Sequence, residues 1–206
     1  MSELAQGVNQ ALRRVPRWPL FPLGLIPAGL LVHALLTGGL GPDPMKVMEQ
    51  RLGEIGLQFL IATLCVTPLR NYAGISLIKY RRAFGLLAFY YILMHLLTWV
   101  VLDYQFHWAE MMRDLYKRPY ITVGMFAFAA MLPLALTASD HAIRRLGAAT
   151  WQRLHKLAYL AALAGALHYL LLVKRVTAEP VLYALAVLLL LAMRAHWRRV
   201  RQSRRA

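Results

Sequence analysis

Three of the seven histidines, His95, His155 and His168, fall inside strongly apolar runs of the chain. An ionisable side chain at membrane depth is costly, and where one is retained it usually serves a function. His155 and His168 share the run over residues 154–173, where about 1.5 Å of rise per residue separates them by roughly 20 Å. They cannot share one metal ion. His95 lies in the run 84–102, eight residues before Asp103, and His168 lies six before Lys174. If both runs travel the same way, they place the two imidazoles about 12 Å and 9 Å from one boundary. Two histidines at matched depth on two helices are what axial ligation of a haem iron requires. His155 stands at the opposite mouth, with no partner histidine in a run at its level; His141 and His196 are only loosely placed there.

Other chemistries have fewer of the residues they need. A hydrogen-bonded packing histidine is the plainest alternative for any one of the three. A proton relay usually enlists acidic side chains, and the runs hold only Glu54, at the edge of one. A zinc site wants Cys, Asp or Glu ligands that are absent here. His33 and His107 read as interfacial. No nucleophile, base pair or carboxylate dyad points to hydrolysis.

The elements that must position these histidines are membrane helices. The 206 residues are 59% hydrophobic with mean hydropathy +0.48, above the usual soluble composition. This predicts one all-α integral membrane domain with short loops. Six runs can be counted, over 20–36, 55–69, 84–102, 120–137, 154–173 and 181–193. The second, short and carrying Gln58, is the weakest; Pro133 should kink the fourth. The predicted organisation is an N-terminal segment over 1–19, a six-span bundle over 20–197 and a basic tail over 198–206.

A net charge of +15 would suggest nucleic acid in a soluble protein. Here the cations cluster between apolar runs, so they read as topology signals and contacts to anionic lipid. With the N-terminus in the cytoplasm, most of the 24 Lys and Arg fall on that side. They include Arg13, Arg14, Arg17, Arg70, Lys79, Arg81, Arg82, Arg144, Arg145, Arg153, Lys156 and the arginines after Met193. Lys46, Arg51, Arg113, Lys117, Arg118, Lys174 and Arg175 fall outside. Both termini are then cytoplasmic. The N-terminus resembles the basic start of a signal peptide but lacks a convincing cleavage site, and reads as an uncleaved first span. Arg194 and Arg198 could snorkel from the last run. The single Cys65 excludes an intramolecular disulfide and reads as a small core residue. Arg70, Arg82 and Arg153, near His155, form a basic rim suited to haem propionates or a flavin phosphate. The same rim would serve as a topology signal.

The stretches GGLGPDP, ATLCVTPLR, RRAFGLLAFYYILMHL, KRPYITVG, LGAATWQRLHKLAYL and HYLLLVK, in this order, resemble the MsrQ (YedZ) family. The resemblance runs from Gly38 to Arg194. It implies a ferric-reductase-like six-helix membrane bundle in the bacterial inner membrane, binding haem b. It further implies electrons drawn from membrane quinone and passed to a periplasmic molybdopterin-containing methionine sulfoxide reductase, which repairs oxidised proteins. FMN is also associated with the family. The implicated histidines fall on His95, His155 and His168. Two-haem members of the wider superfamily carry a second histidine thirteen residues before the outer one; here that position is Arg82. One haem between His95 and His168 is therefore expected, with a second at His155 left open. The rivals are a stand-alone ferric or flavin-linked reductase, which would need a nucleotide-binding domain, and a cofactor-free scaffold or transporter.

Overall fold

A computed structural model describes residues 3–173 and 177–203. Lys174 and Arg175 lie outside the described residues, as do Arg204 and Arg205. Ten α-helices make up the described chain, with no strand among them. They are α1 (Glu3–Arg14), α2 (Leu20–Leu36), α3 (Pro44–Pro68), α4 (Arg81–Leu97), α5 (Trp108–Lys117), α6 (Pro119–Leu136), α7 (Asp140–Leu146), α8 (Ala148–Leu154), α9 (Leu157–Leu172) and α10 (Ala178–Ser203).

Among the described residues, five segments are long and apolar enough to cross a membrane: Pro44–Ala73, Ile78–Asp103, Pro119–Leu136, Ala148–Leu172 and Ala178–Val200. The first apolar run, α2, is shorter at 17 residues. The second run, weakest in the sequence, is instead part of a long span. Its helix starts at Pro44 with Asp43 accepting from the Lys46 backbone N–H, a cap that precedes Glu49, Arg51 and Glu54. Aspartate at the cap and proline at the first helical position are a strong start signal. Polar side chains at its solvent end conceal that length in a hydropathy reading. At the other end, residues 198–203 continue α10 without a break.

The core lies between α3, α4, α6, α9 and α10, built around Leu60, Leu64, Ala88, Met131 and Val187. Helix α9 contributes Ala158, Ala161, Ala162, Ala164 and Ala166, all buried. Small residues let membrane helices approach closely, since lipid gives no hydrophobic drive to associate them. Helix α2 joins through Tyr91, which is fully buried. Its hydroxyl donates to the Gly24 carbonyl (2.7 Å) and accepts from the Ala28 N–H (3.1 Å), beside Pro27.

Arg194 does not snorkel. It is buried and donates to the Leu64 carbonyl at 2.7 Å and to the Tyr159 hydroxyl at 3.1 Å. The reason is Pro68, four residues after Leu64, whose missing N–H leaves that carbonyl without its helical partner. In lipid such an orphan must be satisfied from a neighbouring element. Arg198, by contrast, is exposed and reaches the same Tyr159 hydroxyl.

At the arginine-rich end, α1 is pinned to the turn after α3. Asn9 donates to the Gly74 carbonyl and accepts from the Ser76 N–H, both at 2.8 Å. The fifth apolar run is interrupted at His155, where the ladder tightens: Lys156 bonds to Arg153, and Ala158 to His155. Helix α4 widens after His95 into a π turn over Thr98–Asp103. Such turns gather at functional sites.

Candidate functional site

His95 on α4 and His168 on α9 face each other, ring centres 6.1 Å apart and planes at 77°. His95 Nδ1 lies 2.8 Å from the Glu49 carbonyl of α3, and His168 Nδ1 lies 2.7 Å from the Tyr120 carbonyl of α6. A carbonyl oxygen can only accept, so both Nδ1 atoms carry the proton. Each Nε2 keeps its lone pair for a metal.

Two glycines make these bonds attainable. A Cβ on Gly53 would lie 3.1 Å from His95 Nδ1, and one on Gly124 2.8 Å from His168 Nδ1. Each glycine stands four residues after the carbonyl that its histidine uses. The first helix of each pair supplies a carbonyl and a bare backbone; the second supplies the imidazole. Chain separations of 46 and 48 residues between carbonyl and histidine make the two units near copies.

Between the units lies a cavity of about 400 Å³, within the usual range for ligand sites. Leu57, Leu60, Ile92, Phe128 and Met131 line its apolar part, with room left by Gly53, Gly124, Ala127, Ala161 and Gly165. Its polar end, away from the arginine-rich end, carries Asp43, Lys46, Glu49, Asp103, Tyr104 and Arg118. Trp99, from the π turn, lines the cavity and packs on Tyr104 (4.9 Å). Tyr104 donates to Asp114, which also pairs with Arg118 at 3.1 Å. Burial, then the bond to Asp114 and its charge, push the Tyr104 hydroxyl up to about 12. It stays a donor throughout the physiological range.

The donor set fits haem. Among the described residues no group of three or more His, Cys, Asp or Glu could hold a metal, so a bare zinc site lacks ligands. Haem brings four nitrogens and asks the protein for two. With metal–imidazole bonds of about 2 Å and roughly 1.1 Å from nitrogen to ring centre, an ion between the rings sets their centres about 6 Å apart.

The other sequence candidates lie elsewhere. His155 sits at the α8–α9 turn, stacked on Trp151 with ring centres 4.6 Å apart. Arg82 pairs with Asp140 at 2.6 Å. Arg70 lines a second, polar cavity of about 680 Å³ between α1 and the turn after α3. Arg153 is exposed on α8. None of these three arginines lines the histidine cavity; Lys46 and Arg118 are its cations. Sequence reasoning missed both of them, along with the glycine pair. Gly124 offered a signal, a glycine inside an apolar run where no turn requires it; Gly53, between Arg51 and Glu54 and outside the predicted run 55–69, offered none.

A family model for the ferric reductase like transmembrane component matches residues 52–166, which include His95 and His155 and stop two residues before His168. The chain is also 48% identical, over 197 residues, to the protein-methionine-sulfoxide reductase heme-binding subunit MsrQ of Brucella ovis. The match covers 93% of this chain and 89% of that relative. The chain belongs to the MsrQ family. MsrQ proteins of Brucella canis and Brucella melitensis biotype 2 match at the same identity and coverage. The ferric-reductase match runs from the middle of α3 into α9 and takes in Gly53, His95 and Gly124, whereas the MsrQ likeness covers 93% of the chain.

Proposed function

We propose that this chain is the haem b-binding membrane subunit of a methionine sulfoxide reductase system. It draws electrons from membrane quinol and delivers them to a periplasmic, molybdopterin-containing catalytic subunit. One observation carries the reading: two imidazoles face each other across a cavity, each with Nδ1 tied to a carbonyl and Nε2 free. The relatives' name, a heme-binding subunit, points the same way.

Bound haem supplies a one-electron couple, and ligation by two histidines leaves its iron no open position for oxygen chemistry. His95 and His168 would hold the iron. Their carbonyl partners fix ring orientation and raise ligand basicity. Lys46 and Arg118 are the cations suited to the propionates. The apolar flanks exclude water. A second haem at His155 has no facing histidine to support it. The polar cavity carrying Arg13, Arg70 and Lys79 offers cations for the phosphate of FMN.

Charge distribution supports six spans in the inner membrane, with α2 completing the set and both termini cytoplasmic. The periplasmic loops between spans one and two, three and four, and five and six would then face the catalytic subunit. Stand-alone ferric or flavin-linked reduction and a cofactor-free scaffold or transporter remain the alternatives to defeat. The deciding measurement is the reduced-minus-oxidised visible spectrum of purified protein, wild type beside His95→Ala, His168→Ala and His155→Ala. A b-type spectrum lost or turned high-spin in the first two, and retained in the third, is expected. A colourless wild type from haem-replete cells defeats the reading.

A further inference from the structure

Gln58 is exposed on the membrane-spanning part of α3. Its amide Nε2 donates to the Tyr183 hydroxyl of α10 at 2.7 Å. That single bond leaves three groups over. The Tyr183 hydroxyl hydrogen, the Gln58 Oε1 and the second Gln58 Nε2 hydrogen have no partner among the described residues. A free O–H and a free amide carbonyl at membrane depth are expensive, because hydrocarbon offers neither an acceptor nor a donor. Something with both an acceptor and a donor would satisfy the pair.

The same seam leads inwards. The Tyr183 ring packs on that of Tyr169, 5.8 Å between centres. Tyr169 donates to Glu54 Oε1 at 3.0 Å, and the other oxygen of Glu54 accepts from Arg51 at 3.0 Å. The Arg51 side chain is 61% exposed. Glu54 and Tyr169 line the histidine cavity, and Tyr169 follows His168 directly. One layer of tyrosine thus separates the Gln58–Tyr183 pair from the cavity.

We propose that Gln58 and Tyr183 bind the head group of a membrane quinol at the α3–α10 seam, with Glu54 as its proton acceptor. The assignment rests on the quinol reading above and gives it a place. A quinone oxygen accepts from Tyr183, and a quinol hydroxyl donates to Gln58 Oε1, so one pair recognises both redox states. A phospholipid head group suits the seam less well. Gln58 lies about 10 Å deeper than Arg51 along the helix, and the pair presents no cation to a phosphate. Oxidation of one quinol to quinone releases two electrons and two protons. The electrons pass one at a time to the one-electron haem couple proposed above, which is reoxidised between them; Glu54 takes the protons in turn and releases each to the solvent that Arg51 meets.

The test uses the full-length haem-loaded protein in nanodiscs. An azido-ubiquinone photolabel, mapped by mass spectrometry, reads binding without turnover. Haem reduction by decylubiquinol or menadiol, followed in the visible band and set against dithionite, reads electron entry. Labels are expected on the α3 peptide with Gln58 and the α10 peptide with Tyr183. In the double variant Gln58→Leu, Tyr183→Phe, labelling falls about tenfold or more and the apparent KM for quinol rises to match, the scale for lost hydrogen bonds. The spectrum and dithionite reduction stay as in wild type. Glu54→Gln keeps the label but slows quinol-driven reduction. Labelling elsewhere, or an unaffected double variant, overturns this site and leaves the quinol reading standing. A wild-type haem reduced by dithionite but by neither quinol overturns the quinol reading itself.

Discussion

A hydrogen atom in place of a methyl group decides whether each imidazole can reach its carbonyl. In Gly124→Ala the added Cβ would sit 2.8 Å from His168 Nδ1 and 2.9 Å from Cε1, so the ring must turn away. The Nδ1–H bond to Tyr120 is then lost. Loss of such an outer-sphere partner typically costs about ten- to a hundredfold in metal affinity. Haem content and the low-spin signal should fall on that scale, read by pyridine haemochrome assay and electron paramagnetic resonance. Gly53→Ala, at 3.1 Å from His95 Nδ1, should do less. The histidines were legible in the sequence because an imidazole breaks an apolar run. Gly53 and Gly124 were not, since a glycine's purpose depends on which side chain lies opposite. The arginines show the converse: their clustering is visible, but nothing in the sequence says that Arg82 meets Asp140 or that Arg118 lines the cavity.

Whole helices are held by single bonds that can be removed one at a time. Tyr91→Phe deletes both hydrogen bonds to α2 and leaves the Gly24 carbonyl and Ala28 N–H without the hydroxyl that joins them. A loss of about 1–3 kcal/mol is expected, seen as a lower melting temperature in detergent. Faster hydrogen exchange should be confined to Leu20–Leu36. Helix α7 is tied instead by charge. The bond and charge of Arg82 hold the Asp140 carboxyl below its usual range. A lowered folded pKa means that the tie is present above the unfolded value, about 3.9, and is lost as pH falls through the folded one. Exchange across Asp140–Leu146 should therefore quicken only under strong acid. In Asp140→Asn it should be fast already at neutral pH. The apolar helices were legible from hydropathy; their extent, and the polar helices α1, α5 and α7, were not. The second run read as short because Glu49, Arg51 and Glu54 look like loop residues, yet the Asp43–Pro44 cap starts the helix before them. The break at His155 carries neither glycine nor proline, so no local signal marks it.

Across the molecule, cations gather at one end, where α1, the turn after α3, α7, α8 and the last turns of α10 meet. The positive-inside rule assigns that end to the cytoplasm. Single cysteines placed in a Cys65→Ser background test the assignment with a membrane-impermeant maleimide. Lys117→Cys should label in intact spheroplasts, and Ser203→Cys only after the membrane is opened. Reversal of that pattern would invert the bundle. No internal repeat was legible in the sequence, although the fold contains one: a carbonyl, a glycine four residues on, and a histidine on the partner helix, used twice. The repeat has a consequence for biosynthesis. Chains are made from the N-terminus onwards, so α3 and α4 complete the His95 half before α9 exists. Until α6 and α9 close, the nascent chain offers one grip where the proposed haem ligation needs two. On that proposal, cofactor retention becomes a checkpoint on assembly, passed only by chains whose second hairpin has docked.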